Sequence, residues 1–242
     1  MLGIRRARAH PVSVSRCTSE TQTVGHDFFA ARMARNVMKD RNSCVVQLRE
    51  CFTRELSKET LQDFERLFET HPAPGAYPCW CMHDHVSGRE SEPESESRAA
   101  RVERNRQRKK ALVESGRAHG ILVYAEGEPV GWCQFGLSEE LPRIDNNPKY
   151  RKLAPANRGK RLWRITCFVV RPKYRGSGVA STALKAALVA IRSRGGGLVE
   201  AFPIRRWGAY AEYRGTVSMF EREGFQVVAS LGESNVLVRR VV

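Results

Sequence analysis

The chain has 242 residues, of which 41% are hydrophobic and 28% are charged, and its formal net charge is +15 with a pI near 10.0. This length suits one domain of ordinary size with an extension, or two small domains. The composition is too apolar for a wholly disordered chain, and the sequence lacks the uncharged run of about 20 residues that a membrane span needs. We therefore expect a soluble globular protein.

The N-terminal segment is strongly basic, with eight Lys and Arg residues against three Asp and Glu residues between residues 1 and 41. Transit peptides have such a composition, but the apolar residues here form no sustained helical stripe. We favour a solvated, poorly ordered extension over residues 1–43, followed by one domain over residues 44–242. The seven cysteines are odd in number and scattered, and no secretory segment precedes them, so we expect a cytoplasmic protein.

The domain alternates between strands, turns and helices. Its first part predicts a strand over residues 45–49 and a helix on which Leu61, Phe64, Leu67 and Phe68 recur at helical spacing. The further predicted elements are a mostly exposed basic helix over 98–110, a hairpin over 121–135, strands over 163–170 and 198–204, helices over 178–193 and 216–223, and a strand pair over 225–230 and 235–242. This order predicts a mixed α/β (α+β) fold, whose mostly antiparallel central sheet has six to seven strands and helices on both faces.

The most informative segment covers residues 169–180, where a strand runs into a glycine-bearing turn that opens an apolar-faced helix. The N–H groups at a helix start are unpaired and the macrodipole adds positive charge there, so such a turn binds phosphate. Gly176 and Gly178 let the backbone approach a ligand closely, and Ala180 is small enough for the helix to lie close to the sheet. Three basic residues add charge: Arg171, Lys173 and Arg175.

Two other phosphate-binding motifs compete with this interpretation. A Walker P-loop requires G-x-x-x-x-G-K-[ST], which no glycine pair here satisfies. The pattern Gly176-x-Gly178-x-x-Ser181, with Glu200 roughly 20 residues further on, approximates a dinucleotide-binding fingerprint. However, Ser181 replaces the third glycine, and too few strand–helix alternations surround the unit to build a doubly wound sheet.

The segment Arg175-x-x-Gly178-x-Ala180 resembles the Q/R-x-x-G-x-G/A signature of the GNAT superfamily of N-acetyltransferases. It lies where that family has it, after the fourth strand and at the start of the long helix. Residues 219–225, with their Gly-Phe end, resemble a later helix of the family, and residues 126–131 resemble its turn between the second and third strands. The resemblance covers about residues 44–242 in element order, and it implies a GNAT-like fold in which the fourth and fifth strands splay apart.

The resemblance implies that acetyl-coenzyme A, without a metal, binds in the gap between these two strands. Main-chain groups of Phe168, Val169 and Val170 would pair with the pantetheine. The turn would hold the pyrophosphate through residues Arg175, Gly176, Ser177, Gly178, Val179 and Ala180.

The resemblance also implies that a primary amine attacks the thioester directly in a ternary complex. An amine with a pKa of about 10.4 is mostly protonated at pH 7, so a group must remove its proton. Glu200, an acid in an otherwise apolar strand beside the gap, is the predicted general base. The tyrosine that commonly reprotonates the thiolate is Phe220 here, so Tyr213, Ser218, Tyr210 or solvent would take its place.

Residues 79–85, Cys-Trp-Cys-Met-His-Asp-His, contain four potential zinc ligands. An extended chain would spread them over roughly 20 Å, whereas zinc needs all four at about 2.0–2.3 Å. We therefore predict a loop packed by its Trp and Met side chains and no metal site. The resemblance puts this loop at the wall of the acceptor site, so His83, Asp84 and His85 are candidates for amine recognition or proton transfer.

Two other functions are compatible with the sequence. Phe220 and the lack of a carboxylate in residues 165–168 are compatible with a coenzyme-A-binding sensor or interaction module that has lost turnover. The net charge of +15 is also compatible with a nucleic-acid-binding protein, although the sequence contains no aromatic-and-basic stacking motif and no zinc finger. We expect an amine acceptor of unknown identity and neither nucleic acid nor membrane as a partner, and the sequence leaves a homodimer open.

Overall fold

The computed structural model describes residues 51–70, 79–87, 96–153, 159, 161–205 and 211–242. The predicted extension over 1–43 and the predicted strand over 45–49 lie outside these residues, so the domain boundary stays a prediction. Within these ranges, no helix is both long enough and apolar enough to cross a bilayer.

Seven strands of the described residues form one mixed sheet. The strands are β1 (Cys51–Glu55), β2 (His119–Ala125), β3 (Glu128–Leu137), β4 (Leu162–Val170), β5 (Leu198–Ala201), β6 (Gln226–Ser230) and β7 (Val236–Val241). The helices are α1 (Leu61–Thr70), α2 (Arg98–Glu114), α3 (Pro148–Arg151), α4 (Val179–Ser193), α5 (Ala211–Arg214) and α6 (Val217–Arg222). The strand order is β1-β2-β3-β4-β5-β7-β6, and every neighbouring pair is antiparallel except β4 and β5, which confirms the predicted sheet.

The hairpin of β2 and β3 forms where the sequence predicts it. Glu126 and Gly127 both have positive φ, 53° and 78°, which is the backbone conformation that a tight hairpin turn requires. The edge strand β1 was not predicted, because its side chains lack a regular apolar alternation and Phe52 is 48% exposed. Its residues pair in register with β2, from Cys51 opposite Ala125 onward.

Alternate residues of the sheet face two separate apolar cores. Ile121 and Val123 belong to the core beneath α4, whereas Leu122 and Tyr124 belong to the core beneath α1 and α2. Trp132 fills the centre of the second core, with its ring centroid 4.8 Å from that of Phe64 on α1. Helices therefore cover both faces of the sheet, as predicted.

Helix α2 buries a partly polar stripe within an otherwise exposed surface. The hydroxyl of Ser97 accepts a hydrogen bond from the N–H of Ala100 and caps the helix (3.2 Å). Asn105, Lys109 and Val113, spaced four residues apart, are buried, and the other side chains are exposed or half-buried. The prediction of a mostly exposed helix is confirmed, but its buried lysine was not expected.

A buried arginine on β4 fixes the segment between β3 and β4. The side chain of Arg164 is 2% exposed, and its guanidinium donates hydrogen bonds to the carbonyls of Ser138 (2.9 Å) and Leu141 (2.7 Å). The same group forms a two-pronged ion pair with the carboxylate of Asp145 at 2.5 and 3.0 Å. Residues 138–153 are thereby held against the sheet.

Candidate functional site

Strands β4 and β5 pair only along part of their length. Their register runs from Leu162 opposite Leu198 to Ile165 opposite Ala201, where β5 ends. The last five residues of β4, 166–170, therefore have β3 on one side, and no strand of the described residues pairs with them on the other. The register of β3 and β4 also shifts between Ile165 and Cys167, so the strand is irregular at the same point. The carbonyl of Thr166 accepts a hydrogen bond from Arg214 (3.0 Å), so residues 167–170 are the part of this edge that an extended ligand would pair with.

The backbone groups along this open edge can be assigned from their hydrogen bonds. Arg171 donates its N–H to Val130 of β3 (2.9 Å), whereas the carbonyl of Val170 accepts only from a side chain, Arg175 Nε (3.4 Å). Because alternate residues of a strand direct their backbone groups to the same neighbour, Val169 faces β3 and Phe168 and Val170 face the gap. Of the three residues predicted to bind pantetheine, two therefore direct main-chain groups into the gap.

The turn after β4 presents unpaired N–H groups. Gly176 and Gly178 have φ of 78° and 90°, and a Cβ at either position would meet no atom within 4 Å. Glycine is therefore required by backbone conformation and leaves open space above the turn. Helix α4 begins at Val179, and the N–H of Thr182 donates to Gly178 (2.9 Å), so the N–H groups of residues 179–181 precede the helical ladder.

Three basic side chains surround the turn. Lys173 and Arg175 are exposed and Arg171 is half-buried. The nearest carboxylates lie at the limit of ion-pair distance, 4.0 Å from Arg171 to Glu128 and 3.9 Å from Lys173 to Glu126. Such exposed pairs contribute little, so the positive charges of Arg171 and Lys173 are available to an anion at the turn.

A cavity of about 190 Å³ adjoins the point where β4 loses its partner. Four segments line it, through residues Asp84, Arg143, Ile144, Asn147, Phe202, Arg214, Leu231 and Asn235. Phe202 directly follows β5, and Arg214 donates to the carbonyl of Thr166 on β4 (3.0 Å), which fixes the cavity at the inner end of the gap. The gap, the glycine turn after β4 and the cavity all adjoin β4 and together form the candidate site.

The sequence model of the acetyltransferase (GNAT) family matches residues 80–225, more than half of the chain. The chain belongs to the acetyltransferase (GNAT) family. The predicted family is thereby confirmed, and with it an acyltransferase that uses acetyl-coenzyme A as co-substrate. No curated protein matches the sequence significantly.

Several solved acetyltransferase structures are similar to this chain. PaiA N-acetyltransferase from Thermoplasma acidophilum in complex with coenzyme A is 15% identical with a TM-score of 0.46, over 80% of this chain and 99% of that one. An acetyltransferase from Thermus thermophilus is 14% identical with a TM-score of 0.44, over 81% and 100%. Agmatine N-acetyltransferase is 13% identical with a TM-score of 0.46, over 79% and 99%. At these TM-scores the family assignment rests on the sequence match alone.

The three candidate acceptor-binding residues of the acetyltransferase have different surroundings. Asp84 is 7% exposed, lines the cavity and forms an ion pair with Arg214 (3.2 Å). His83 is exposed and His85 is half-buried, and neither lines the cavity. Asp84 is therefore the one of the three that a ligand in the cavity would contact.

His85 is held by hydrogen bonds at both ring nitrogens. Nδ1 lies 2.9 Å from the carbonyl of Glu140, which only accepts, so Nδ1 carries the proton and Nε2 accepts from Lys109 Nζ (3.0 Å). Burial, with the ammonium of Lys109 as a further cause, holds the pKa of His85 well below its usual range. Burial likewise lowers the pKa of Lys109, whose Nζ also lies 3.3 Å from the carbonyl of Cys81. This pair attaches the 79–87 loop to α2 and leaves His85 no free nitrogen.

Glu200, the predicted general base, is fully buried and both of its carboxylate oxygens accept hydrogen bonds. Oε1 accepts from Arg239 Nε (2.8 Å), and Oε2 accepts from the hydroxyl of Tyr150 (2.6 Å). Burial, with the bond to Glu200 as a further cause, raises the pKa of Tyr150 to about 12. Glu200 does not line the cavity. Its role as general base stays a prediction, and this geometry favours a structural role instead.

The candidates for thiolate protonation lie on or near α5 and α6. Tyr213 is half-buried and packs against the core that contains Cys167 and Val169, two side chains of β4 beside the gap. Ser218 is exposed, with its Oγ 3.2 Å from Thr216 Oγ1, and Tyr210 lies outside the described residues. Phe220 is fully buried, with its ring centroid 6.0 Å from that of Phe168 on β4. The position of the family's usual tyrosine thus faces β4 but carries no hydroxyl.

The thiols of Cys79, Cys81 and Cys167 gather beneath the 79–87 loop. Sγ of Cys81 lies 3.2 Å from Sγ of Cys167, and burial raises the pKa of Cys81 well above its usual range and that of Cys79 to about 11. Trp80 and Met82 are 6% and 5% exposed, as the predicted packed loop requires. In the part of the chain that the structure describes, no three His, Cys, Asp or Glu residues are placed to hold a metal ion.

Sequence analysis missed the residues that line the cavity other than Asp84. Arg143 belongs to a short 3-10 helix (Pro142–Asn146), Arg214 to the one-turn helix α5, and Asn235 to a short connection between β6 and β7. None of these segments carries a local sequence motif, because the residues come together only when the strands of the sheet have assembled. The one available signal was the length of the connection between β3 and β4, more than 20 residues, since long connections commonly carry function.

Proposed function

We propose that the protein transfers the acetyl group of acetyl-coenzyme A to a primary amine by direct attack in a ternary complex. One observation carries this proposal: β4 continues for five residues beyond its pairing with β5 and leads directly into a turn of unpaired N–H groups. An extended thioester along the strand and a diphosphate at the turn match these two features in order.

The chain's own groups have defined tasks in this proposal. Phe168 and Val170 hydrogen-bond the pantetheine through their main chains, and the turn from Arg175 to Ala180 holds the pyrophosphate. A backbone N–H in this stretch of β4 stabilises the negative charge that develops on the thioester oxygen during attack. Val169 borders the gap with its backbone directed to β3.

Asp84 is the proposed group for the acceptor amine, because it is the carboxylate on the cavity wall. It can hold the ammonium and take its proton, directly or through water, before attack. The thiol of coenzyme A resembles an ordinary thiol with a pKa of about 8.5, so its thiolate is a tolerable leaving group. Tyr213 is the proposed proton donor to it, with Ser218 as the exposed alternative.

A second candidate function is a coenzyme-A-binding module that has lost turnover. The burial of Phe220 against Phe168, where the family's usual tyrosine would stand, favours it. The two functions differ in whether bound acetyl-coenzyme A is consumed. Nucleic-acid binding has no comparable observation behind it, and cytoplasmic localisation and a homodimer stay predictions.

The test uses the full chain with acetyl-coenzyme A and a panel of amines: an alkylamine, a diamine, an amino acid, an aminoglycoside and a lysine-containing peptide. We expect stoichiometric coenzyme A and N-acetylated product by chromatography and mass spectrometry, with intersecting double-reciprocal plots. Parallel plots would point to an acetylated enzyme and contradict direct attack. Tight binding of acetyl-coenzyme A with no product from any amine would select the module without turnover.

A further inference from the structure

We propose that the acceptor amine carries a carboxylate, and that Arg143 binds this group in the cavity beside the gap. The inference rests on the proposed N-acetyltransferase function and names its substrate class as a small amino carboxylate. It depends on the charge, the donor geometry and the apolar surface of the cavity wall.

The charges on the cavity wall do not balance. Arg214 is paired with Asp84 (3.2 Å) and also donates to the carbonyl of Thr166 (3.0 Å), so its charge is already compensated. The guanidinium of Arg143 is half-buried, and no carboxylate in the described ranges lies within ion-pair distance of it. The wall therefore offers the guanidinium of Arg143 to a carboxylate, while Oδ2 of Asp84, the oxygen that Arg214 does not bind, remains for an ammonium.

Arg143 is also held in place from two directions. Its own N–H donates to the carbonyl of Asp84 (3.3 Å), which joins the 138–153 segment to the 79–87 loop. The ion pair of Arg164 with Asp145, two residues further along, fixes the same segment to β4. A guanidinium on a fixed backbone binds a carboxylate with two parallel hydrogen bonds, which a flexible exposed arginine does less well.

The rest of the wall suits a short apolar connector between the two charged ends. Phe202 and Leu231 are each 5% exposed and share a small core with Ile144. Asn235, which is exposed, offers a further amide donor at the rim. A ligand with an ammonium at Asp84 and a carboxylate at Arg143 would lay its carbon chain on this apolar surface. The volume of about 190 Å³ limits the ligand to a small molecule.

The experiment compares two series of acceptors with the full chain and acetyl-coenzyme A. One series is the ω-amino carboxylates from glycine to 6-aminohexanoate, and the other is the unbranched alkylamines of equal carbon number. We expect at least one amino carboxylate to exceed its matched alkylamine in kcat/KM by about tenfold or more, the usual effect of a charged hydrogen bond. The Arg143→Met variant should remove this preference, mainly through a higher KM for the amino carboxylate.

Arg151→Met is the matched control, because Arg151 belongs to the same segment, is exposed and does not line the cavity. It should keep both the activity and the preference of the unmodified chain. Equal or better use of alkylamines by the unmodified chain would overturn the inference, as would an Arg143→Met variant that keeps the preference. Inertness toward both series would also overturn it, whereas the N-acetyltransferase proposal fails only if the wider amine panel is inert too.

Discussion

Gly178→Asp is the most direct test of the anion-binding turn. Gly178 has φ of 90°, and a left-handed conformation costs a residue with a Cβ about 1–2 kcal/mol. No atom lies within 4 Å of the added Cβ, so the substitution introduces no clash and the protein should remain folded. The new carboxylate would lie beside the proposed pyrophosphate.

The repulsion can be bounded from Coulomb's law. Two unit charges about 4 Å apart repel by about 1 kcal/mol in water and about 4 kcal/mol at an effective dielectric constant near 20. We therefore expect Gly178→Asp to weaken the binding of coenzyme A by at least about fivefold, the equivalent of about 1 kcal/mol. Isothermal titration calorimetry of the full chain, with urea denaturation beside it, measures the affinity and the free energy of unfolding separately.

Gly116→Asp is the matched control. Gly116 has φ of 70°, again with no atom within 4 Å of a Cβ, and it lies just beyond the C-terminal end of α2. Both variants carry the conformational cost of about 1–2 kcal/mol, but Gly116→Asp should lose more free energy of unfolding, because a carboxylate is unfavourable at the C-terminal end of a helix and favourable at the N-terminal end. Only Gly178→Asp should lose affinity for coenzyme A. Unchanged affinity in Gly178→Asp, or equal loss in both variants, would refute the assignment of the turn.

Three further predictions concern residues that bind or transfer a proton: His85, Glu200 and Tyr213. The pKa of His85 is lowered in the folded chain, so the unfolded chain takes up the proton first as the pH falls. The free energy of unfolding should therefore decrease below about pH 6.5, by at most about 1.4 kcal/mol per pH unit. Urea midpoints at pH 7.5 and 5.5 should show this loss, and His85→Gln should reduce it; an identical loss in the variant would contradict the assignment. Glu200→Gln should cost about 3 kcal/mol of stability, because it leaves Arg239 without its buried partner, and should leave the pH profile of kcat/KM unchanged. Loss of the acidic limb of that profile would instead identify Glu200 as the base. Tyr213→Phe should lower kcat about tenfold or more, and adding Phe220→Tyr should restore part of it; an unchanged kcat would point to protonation by solvent.

The sequence determined the fold class of this acetyltransferase and the conformation of the glycine turn before α4. Strand and helix periods follow from which residues are apolar, so the hairpin, β4 and α4 were predictable from local pattern. The turn was predictable because its requirement is also local: Gly176 and Gly178 adopt positive φ, and the start of a helix always leaves N–H groups unpaired. Each of these features is encoded within a few consecutive residues.

Only the tertiary structure decided how the side chains around the gap are used. Glu200 was predicted as a base because an acid in an apolar strand is unusual, but the acid is bonded by Arg239 and Tyr150, which lie far from it in sequence. Nothing in the sequence indicates that Arg143 lies beside Asp84, about 60 residues away. Contacts of this kind depend on how loops from separate strands meet at the end of the sheet. No local propensity specifies how these loops meet, so the cavity could be found only in the folded chain.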